Sequence, residues 1–306
     1  MIETKNLSDT AELPALGKAS NAHGHSTRSA RMKVEVAALS HSGHRRSNNE
    51  DHYLVSRFGR SLETLLTNLP AESVPSRSEE IGYGMVVADG IGGHSGGEIA
   101  SRTAISTLVS LVLQTPDWIL GDESAEAEQV MERMAERYRL IQTALTEKGN
   151  ASPGLGRMGT TMTLAASLGA SLVVGHIGDS RAYLFRGDDL LQLTQDHTLV
   201  QSLVEQGELT PEEAAHHPKR HVLNRSLNAV GRMFEGDFRH VWLASGDQLL
   251  LCTDGLTEMV DDETIQSILR HAATSNEACQ NLVDAALRNG GRDNVTVALA
   301  RYQKME

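Results

Sequence analysis

The sequence has little cysteine, few aromatic residues and no long apolar run. Of its 306 residues, 4% are aromatic and two are cysteines, Cys252 and Cys279. Two cysteines do not supply the disulfide framework of small secreted proteins. No segment approaches the ~18 consecutive apolar residues of a membrane span, and the first residues lack the basic and then apolar pattern of a signal peptide. We therefore expect a cytoplasmic protein that does not contact a membrane.

Positive charge is also scarce. The chain has 28 Lys and Arg against 40 Asp and Glu, which gives a formal net charge of −12. Nucleic-acid binding depends on neutralising phosphates with Lys and Arg, so a nucleic-acid partner is not expected. With 40% hydrophobic and 22% charged residues, the composition is that of a globular protein and excludes a disordered chain.

The polarity pattern predicts one folded domain behind a polar tail. Residues 1–32 are rich in Ser, Thr, Asn, Ala and His without apolar periodicity, which predicts a flexible tail. Residues 33–306 form the predicted domain, since no composition break divides them. Within it, residues 57–82 predict a surface insertion in the form of a long loop containing Pro70 and Pro75. Residues 197–230 predict a mainly helical, flap-like segment.

Strand and helix patterns along the domain predict an α+β fold. Strands are expected over 34–39, 52–56, 83–88, 160–167, 171–177, 181–185, 190–193, 238–243, 248–252 and 294–300, and helices over 97–113, 123–148, 261–272 and 276–289. The connections 168–170 and 186–189 are short enough only for antiparallel hairpins. Strands joined by hairpins, with helices in pairs between them, indicate antiparallel sheets with segregated helices.

Acidic residues stand at the ends of several predicted strands. They are Glu50, Asp51, Asp89, Asp179, Asp254 and Asp293. Because neighbouring strands lie ~4.8 Å apart, such carboxylates can converge, and divalent cations such as Mg²⁺ or Mn²⁺ relieve their repulsion. Structural explanations compete with this one: Asp-Gly is a common turn signal, although Asp89-Gly90 fits it badly because no returning strand follows, and Asp254 opens a helical stretch that it could cap. Spacing alone therefore leaves both explanations open.

The glycine-rich run 90–97 does not fit a nucleotide-binding loop. Ser95 stands where a dinucleotide fingerprint that starts at Gly90 needs a glycine, and no Gly-Lys-Ser/Thr follows. We expect these glycines to let the backbone approach a ligand or metal closely.

Six segments, in this order, resemble the bacterial branch of the metal-dependent Ser/Thr protein phosphatases of type 2C. They are GHRRSNNED at 43–51, ADGIGGH at 88–94, GTT at 159–161, GDSR at 178–181, TDGL at 253–256 and GRDN at 291–294. Any one of these segments would be a weak signal, but six in the family's order are specific. The resemblance spans about residues 34–302.

The resemblance implies a four-layer α/β/β/α sandwich of two antiparallel sheets flanked by helix pairs, with two divalent cations, Mn²⁺ or Mg²⁺, at one edge. Arg46 would clamp the phosphoryl group, and Asp89 would bridge the two cations and orient the nucleophilic water. The implied metal residues are Asp89, Gly90 through its carbonyl, Asp254 and Asp293, with Glu50 and Asp51 acting through water.

The implied function is hydrolysis of phosphoserine and phosphothreonine in phosphorylated proteins, by attack of a water that bridges the two cations. Such an enzyme would oppose a Ser/Thr protein kinase in bacterial signalling. Two alternatives stay open. One is a non-catalytic scaffold or binding protein on the same fold, and the other is a metal-dependent phosphohydrolase that acts on small molecules.

The sequence departs from the family pattern at two places. Ile91 stands where some members carry a His that protonates the leaving alcohol, and the nearby His94 is an alternative donor. Residues 150–158 lack the acid with which many members bind a third metal. Asp179 is expected to anchor a turn or to pair with Arg181, and His197 is expected to be structural.

Overall fold

The structure, a computed structural model, describes residues 32–92, 96–114, 124–152 and 154–305. The strands within these ranges are β1 (Met32–His41), β2 (His52–Glu63), β3 (Arg77–Ala88), β4 (Gly90–Ile91), β5 (Gly159–Thr160), β6 (Met162–Leu168), β7 (Ser171–Ile177), β8 (Arg181–Arg186), β9 (Asp189–Gln192), β10 (Leu227–Asn228), β11 (Asp237–Trp242), β12 (Gln248–Cys252) and β13 (Val295–Lys304). The helices are α1 (Gly96–Gln114), α2 (Ser124–Ala151), α3 (Leu199–Glu205), α4 (Pro211–Ala215), α5 (Asp254–Thr257), α6 (Asp262–His271) and α7 (Ser275–Arg288). Of the predicted tail, only Met32 is described, and it begins β1; residues 1–31 lie outside the described residues.

Two five-stranded sheets form the centre of the molecule. The strand order is β1-β13-β12-β8-β9 in the first sheet and β11-β7-β6-β3-β2 in the second. All the pairings within them are antiparallel, as the hairpin-length connections predict. The short strands β10, β5 and β4 pair in that order as a small third sheet.

Alternate residues of β3 face two different parts of the core. Met85 and Val87 pack in a cluster with residues of the first sheet such as Leu251, so the two sheets lie face to face. Val86 packs in another cluster with residues of α1 and α2, among them Ala104 and Ile141. Successive side chains of a strand point to opposite faces, so the apolar end of β3 is buried on both.

The outer face of the first sheet is covered by α6 and α7. Leu250 and Leu299 share a buried cluster with Ile265 and Leu282 of these helices. The layers are therefore the α1–α2 pair, the second sheet, the first sheet and the α6–α7 pair. This arrangement confirms the predicted four-layer α/β/β/α sandwich.

Side-chain caps set the starts of several helices. The Asp261 side chain accepts a hydrogen bond from the backbone N–H of Thr264 at 2.8 Å, at the start of α6. Thr210 and Glu213 form a reciprocal capping box in front of Pro211 at the start of α4. Such caps satisfy N–H groups that have no partner inside the helix, which explains why the observed starts lie within a few residues of those predicted.

Two segment predictions are wrong in part. Strands β2 and β3 pair from His52 opposite Ala88 to Glu63 opposite Arg77, so residues 57–63 and 77–82 are strand and only 64–76 are loop. Much of this ribbon is exposed, so it lacks the alternation that marks a half-buried strand. The segment 197–230 contains α3 and α4 but is largely irregular after Ala215, where Pro218 disfavours helix at the residue before it.

Among the ranges given above, no helix combines the length and the apolar character needed to cross a bilayer.

Candidate functional site

Most of the predicted site residues line one open cavity of about 630 Å³, at the end of the sheets where β3 and β12 finish and β13 begins. They are Arg46, Glu50, Asp89, Gly90, Asp254 and Asp293. Asp51 is buried, with 5% of its surface exposed, and does not line the cavity. Strand ends that are far apart in the sequence thus bring these side chains together, as the strand-end pattern indicates.

Only one of the two oxygens of the buried Asp51 carboxyl group has a hydrogen-bond partner in the protein. Its Oδ2 accepts a hydrogen bond from the hydroxyl of Thr253 at 2.8 Å, whereas its Oδ1 is buried without a partner. Burial raises the pKa of Asp51 to about 7, and the negative charges of Asp254 and Asp293 contribute to this rise. A carboxyl group in this environment takes either a proton or a cation.

Asp89 and Asp254 lie side by side, and burial and neighbouring negative charge make both carboxyl groups hard to ionise. Burial raises the pKa of Asp89 well above its ordinary value, and the charges of Asp51 and Asp254 add to the effect. Burial and then the charge of Glu258 raise the pKa of Asp254 to about 6, and its Oδ1 is buried without a hydrogen bond. Unpartnered carboxylate oxygens that converge in this way are the ligand type that hard divalent cations prefer, so the residues fit the predicted metals.

The backbone of Asp89 is fixed by two threonines of the predicted GTT segment. The carbonyl of Asp89 accepts hydrogen bonds from the Thr160 hydroxyl at 2.8 Å and from the Thr161 N–H at 2.9 Å. The N–H of Asp89 donates to the Thr161 hydroxyl at 3.0 Å. These three bonds hold the chain where β3 ends, and so set the position of the Asp89 carboxylate.

Two glycines let α1 approach the strand that follows Asp89. A Cβ on Gly90 would lie 2.2 Å from the carbonyl oxygen of Gly97, and a Cβ on Gly97 would lie 2.3 Å from Glu50 Oε2. Neither position has room for a side chain. The glycine-rich run was expected to let the backbone approach a ligand or metal closely. At Gly90 and Gly97 it lets two backbone segments approach each other, and the Glu50 side chain lies against Gly97.

Asn294 holds the loop that carries Arg46 and Glu50. Its side-chain oxygen accepts a hydrogen bond from the Glu50 N–H at 2.8 Å, and its amide donates to the carbonyls of Ser42 and Asn48, both at 2.9 Å. No role is predicted for Asn294 from the sequence, although its place beside Asp293 at the start of β13 is a signal.

Arg46 lies at the mouth of the cavity and pairs with Asp293. Its Nε donates to Oδ1 at 2.8 Å and its Nη2 to Oδ2 at 2.6 Å. More than half of the Arg46 side chain is exposed, 58% against 30% for Asp293. A guanidinium in this position is accessible to an anion that enters from solvent.

Comparison with known proteins places this site in a family. Residues 76–289 match the protein phosphatase 2C family, which is more than half of the chain. The chain is also 33% identical to protein phosphatase PhpP of Streptococcus pneumoniae over 268 residues, covering 87% of this chain and 96% of the relative. The chain belongs to the protein phosphatase 2C family.

Other members of the 2C family agree with this assignment. The chain is 38% identical to the serine/threonine protein phosphatase PstP of Mycobacterium tuberculosis over 216 residues, or 71% of this chain, but this match spans only 40% of the length of PstP. The structure of the PstP catalytic domain in complex with two manganese ions matches with a TM-score of 0.69 and 34% identity, covering 90% of this chain and all of that one. The predictions of a type 2C family member and of its fold are confirmed. The cations in that neighbour have the number and kind predicted from the sequence.

Two further side chains of this 2C family member lie at the site and were missed. His221 and Glu258 both line the cavity, and His221 Nδ1 contacts Glu258 Oε1. His221 comes from the 197–230 segment and Glu258 follows α5, so 36 residues separate them and no local pattern signals their contact. Burial and the neighbouring Arg220 lower the pKa of His221, whereas Asp254 and Asp293 raise it.

The remaining expectations have mixed outcomes. Of the two roles expected for Asp179, pairing with Arg181 is not observed, because Arg181 pairs with Asp196 in the loop after β9, at 2.9 and 2.7 Å. Asp179 itself lines the cavity, and burial and then Asp254 raise its pKa well above its ordinary value. His197 is buried and accepts a hydrogen bond from the Gly178 N–H, in keeping with a structural role. His94 lies outside the described residues.

Proposed function

We propose that this chain is a metal-dependent phosphatase that hydrolyses phosphoserine and phosphothreonine in phosphorylated proteins. The observation that carries the proposal is the convergence of Asp89 and Asp254, with raised pKa values, at an open cavity whose mouth holds Arg46, with the buried Asp51 near enough for its charge to raise the pKa of Asp89. The names of the relatives described above support the substrate class.

The acidic residues would hold two divalent cations, Mn²⁺ or Mg²⁺. Asp89 would serve both cations, Asp254 and Asp293 would hold the first, and the Gly90 carbonyl would hold the second. Glu50 and Asp51 would act through water. When bound, the cations supply a water that loses a proton near neutral pH and neutralise charge on the phosphoryl oxygens.

Arg46 would bind the phosphoryl group of the substrate. Its planar guanidinium already makes two parallel hydrogen bonds to a carboxylate, and two phosphoryl oxygens present a similar pair of acceptors. Arg46 exchanges Asp293 for the phosphoryl group in this scheme, which also frees the Asp293 carboxylate to hold a cation.

Other side chains would position these groups. Thr253 orients Asp51 through its hydroxyl, and Asn294 fixes the loop from which Arg46 projects. The net charge of −12 does not prevent phosphate binding, because the cations and the cavity-lining Arg46 and Arg292 determine the local charge.

The partners would be phosphorylated proteins and the Ser/Thr protein kinase that phosphorylates them. We also propose that the chain acts in the cytoplasm, because protein kinases draw on the ATP of that compartment and so generate its substrates there.

The test is phosphate release from a phosphothreonine peptide, with Mn²⁺ and after addition of EDTA. We expect release that requires Mn²⁺, is abolished by EDTA and is absent in Asp89→Ala, while Asp189→Ala, an exposed acid in β9, keeps it. Circular dichroism checks that both variants fold. Activity in Asp89→Ala would contradict the proposed site.

The same assay separates the two alternatives. Faster turnover of sugar phosphates or nucleotides than of phosphopeptides would favour a small-molecule phosphohydrolase. No release by the folded protein with any divalent metal would favour the scaffold.

A further inference from the structure

A second cavity, of about 550 Å³, lies between the second sheet and the pair of helices α1 and α2. Among the described residues, none that lines it also lines the cavity of the proposed phosphatase site. Its volume is within the range of about 300–1,000 Å³ that is typical of small-molecule sites. Most of its lining is apolar, and the larger apolar side chains include Leu54, Val86, Leu108, Val112, Met134 and Leu164. The cavity therefore has the size and the lining of a ligand site.

A row of small residues forms the floor of this cavity. Ser56 of β2 pairs with Gly84 of β3, and Gly84 pairs with Ala166 of β6, so the three lie side by side across the sheet. All three line the cavity. Two residues further along each strand, on the same face, stand the larger Leu54, Val86 and Leu164. The change from large to small side chains leaves the space between the sheet and the helices unfilled at this row.

The C-terminal half of α1 leaves apolar surface uncovered above this floor. The buried residues of α1 all lie within residues 96–105. Leu108 and Val112 come later in the helix, line the cavity and are only partly buried. Protein interiors ordinarily fill such space with closely packed side chains. A ligand with an apolar body would cover this surface, which is favourable because it removes apolar area from water.

Arginines are the only charged residues among the described residues that line this cavity. The buried stripe of α2 includes Val130, Met134 and Ile141. Arg137 stands within this stripe, where helical spacing predicts an apolar residue, and it lines the cavity. Arg133, one turn earlier, lines the cavity too, and its Nη2 is buried without a hydrogen-bond partner. Because buried donors ordinarily have partners, an anion that enters the cavity would complete the hydrogen bonding of Arg133.

We propose that this cavity binds an amphipathic carboxylate, with its apolar body over the row of small residues and its carboxylate on Arg133. A guanidinium suits a carboxylate because its planar fork donates two parallel hydrogen bonds. The arginines, with no acidic residue in the described lining, disfavour a cation. The apolar floor and helix side disfavour an anion without an apolar part, such as inorganic phosphate. The proposal does not rest on the proposed function, because the two cavities have separate linings.

The first experiment is isothermal titration calorimetry of the full chain with decanoate, in EDTA so that the probe finds no cation to bind. We expect saturable binding that Arg133→Gln weakens, with a Kd raised roughly 10- to 150-fold by the loss of a charged hydrogen bond. Arg139→Gln is the matched control, since Arg139 is an exposed arginine of α2 that pairs with Glu136. Decan-1-ol, which has the chain without the charge, should bind more weakly than decanoate. No saturable binding, equal Kd values in the three proteins, or equally tight binding of decan-1-ol would each overturn the proposal.

A second experiment tests whether the ligand lies on the floor of the cavity. Ser56→Leu, on the edge strand β2, puts a larger apolar side chain into the space above the small row. We expect this variant to fold, as checked by circular dichroism, and to lose decanoate binding, whereas Ser61→Leu, on the exposed end of β2, keeps it. An unchanged Kd in a folded Ser56→Leu would overturn the site. Should Ser56→Leu fail to fold, the titration of Arg133→Gln still decides. Both titrations are independent of turnover, so a failure of the phosphatase assay would leave them unaffected.

Discussion

Arg46 and Asp293, 247 residues apart in the sequence, are joined by two parallel hydrogen bonds of 2.8 and 2.6 Å. Both side chains are partly exposed, and exposed ion pairs contribute little to stability, typically about 0–1 kcal/mol. The pair is therefore easily exchanged for stronger partners. In the proposed function each member has such a partner, a phosphoryl group for Arg46 and a divalent cation for Asp293.

Replacing Arg46 by Ala tests the first exchange. Hydrogen bonds to charged groups contribute about 1.5–3 kcal/mol, so we expect kcat/KM for a phosphothreonine peptide to fall roughly 10- to 150-fold. The number of Mn²⁺ ions bound should not fall, because Arg46 competes with a cation for Asp293. Arg45→Ala, the exposed neighbouring arginine, is the control and should keep its kcat/KM. A normal kcat/KM in Arg46→Ala would remove Arg46 from the site.

Replacing Asp89 by Asn should stabilise the cation-free protein at pH 8. Burial and neighbouring carboxylates raise the pKa of Asp89 above its unfolded value, so this group favours folding only while protonated. That contribution is fully present below the unfolded pKa and is lost as the pH rises through the folded pKa. A difference of one between the folded and unfolded pKa corresponds to about 1.4 kcal/mol, and about 1 kcal/mol moves the Tm of a domain of this size by roughly 2–4 °C. We expect Asp89→Asn in EDTA to melt at least that much higher than the unmodified protein.

With Mn²⁺ added, we expect the unmodified protein to melt at a higher temperature than Asp89→Asn. A ligand at 100 times its Kd stabilises the folded state by about 2.7 kcal/mol, so the Tm of the unmodified protein rises with Mn²⁺ while that of Asp89→Asn changes much less. Thermal unfolding followed by circular dichroism gives both values. In EDTA, the difference in Tm between the two proteins should be smaller at pH 5 than at pH 8. At pH 5 the neighbouring Asp51 and Asp254, with pKa values of about 7 and about 6, are largely protonated and no longer repel Asp89. A lower Tm of Asp89→Asn in EDTA at pH 8 would contradict the electrostatic account.

Asn294 is predicted to act as a positioning residue. Its replacement by Ala removes three hydrogen bonds that hold the loop 42–50, each contributing about 1 kcal/mol. We expect the free energy of unfolding to fall by about 2–3 kcal/mol. We also expect KM for the phosphopeptide to rise more than kcat falls, since the loop carries Arg46. Asn281→Ala, on the exposed side of α7, should change neither quantity. An unchanged KM in Asn294→Ala would show that the loop keeps its place without Asn294.

The sequence predicted the elements whose signal is local. Strand β3 is apolar over Met85–Ala88 and is followed at once by Asp89, so both the buried strand and the acid at its end were visible. The same holds for β12 and Asp254. The hairpin formed by β2 and β3 continues beyond Ser56, where a loop is predicted, because its exposed end is held by backbone hydrogen bonds that need no apolar pattern.

Contacts between distant segments were not predictable. Nothing near His221 indicates that it lies beside Glu258, and nothing near Asn294 indicates that it binds the loop before β2. Arg46 was expected to be a phosphate clamp from the family resemblance, but its pairing with Asp293 depends on how the β1–β2 loop folds against the start of β13. Such contacts depend on the tertiary fold, which brings together residues that local pattern treats separately.

A final prediction concerns His176, a buried histidine of β7 that does not line the cavity. Its Nε2 donates to the carbonyl of Gln195 at 3.0 Å and its Nδ1 accepts from the hydroxyl of Thr163 at 2.8 Å. Both nitrogens of the neutral ring therefore have hydrogen-bond partners. Burial, and then the nearby His197, lower the pKa of His176 to about 4.

Because the folded pKa of His176 lies below its unfolded value of about 6.5, the stability that the neutral ring contributes is present above pH 6.5 and is lost as the pH falls toward 4. The loss approaches about 1.4 kcal/mol per pH unit, or about 2 kcal/mol between pH 6.5 and pH 5.

We expect His176→Gln to be less stable than the unmodified protein at pH 7, with a difference that shrinks by about this amount at pH 5. Urea unfolding in EDTA at the two pH values measures this difference in the free energy of unfolding. His271→Gln, on the exposed surface of α6, is the control. The carboxylate cluster is common to all three proteins and cancels in the comparison. If the difference between His176→Gln and the unmodified protein is the same at both pH values, His176 takes up protons equally in the folded and unfolded states, and its burial does not lower its pKa.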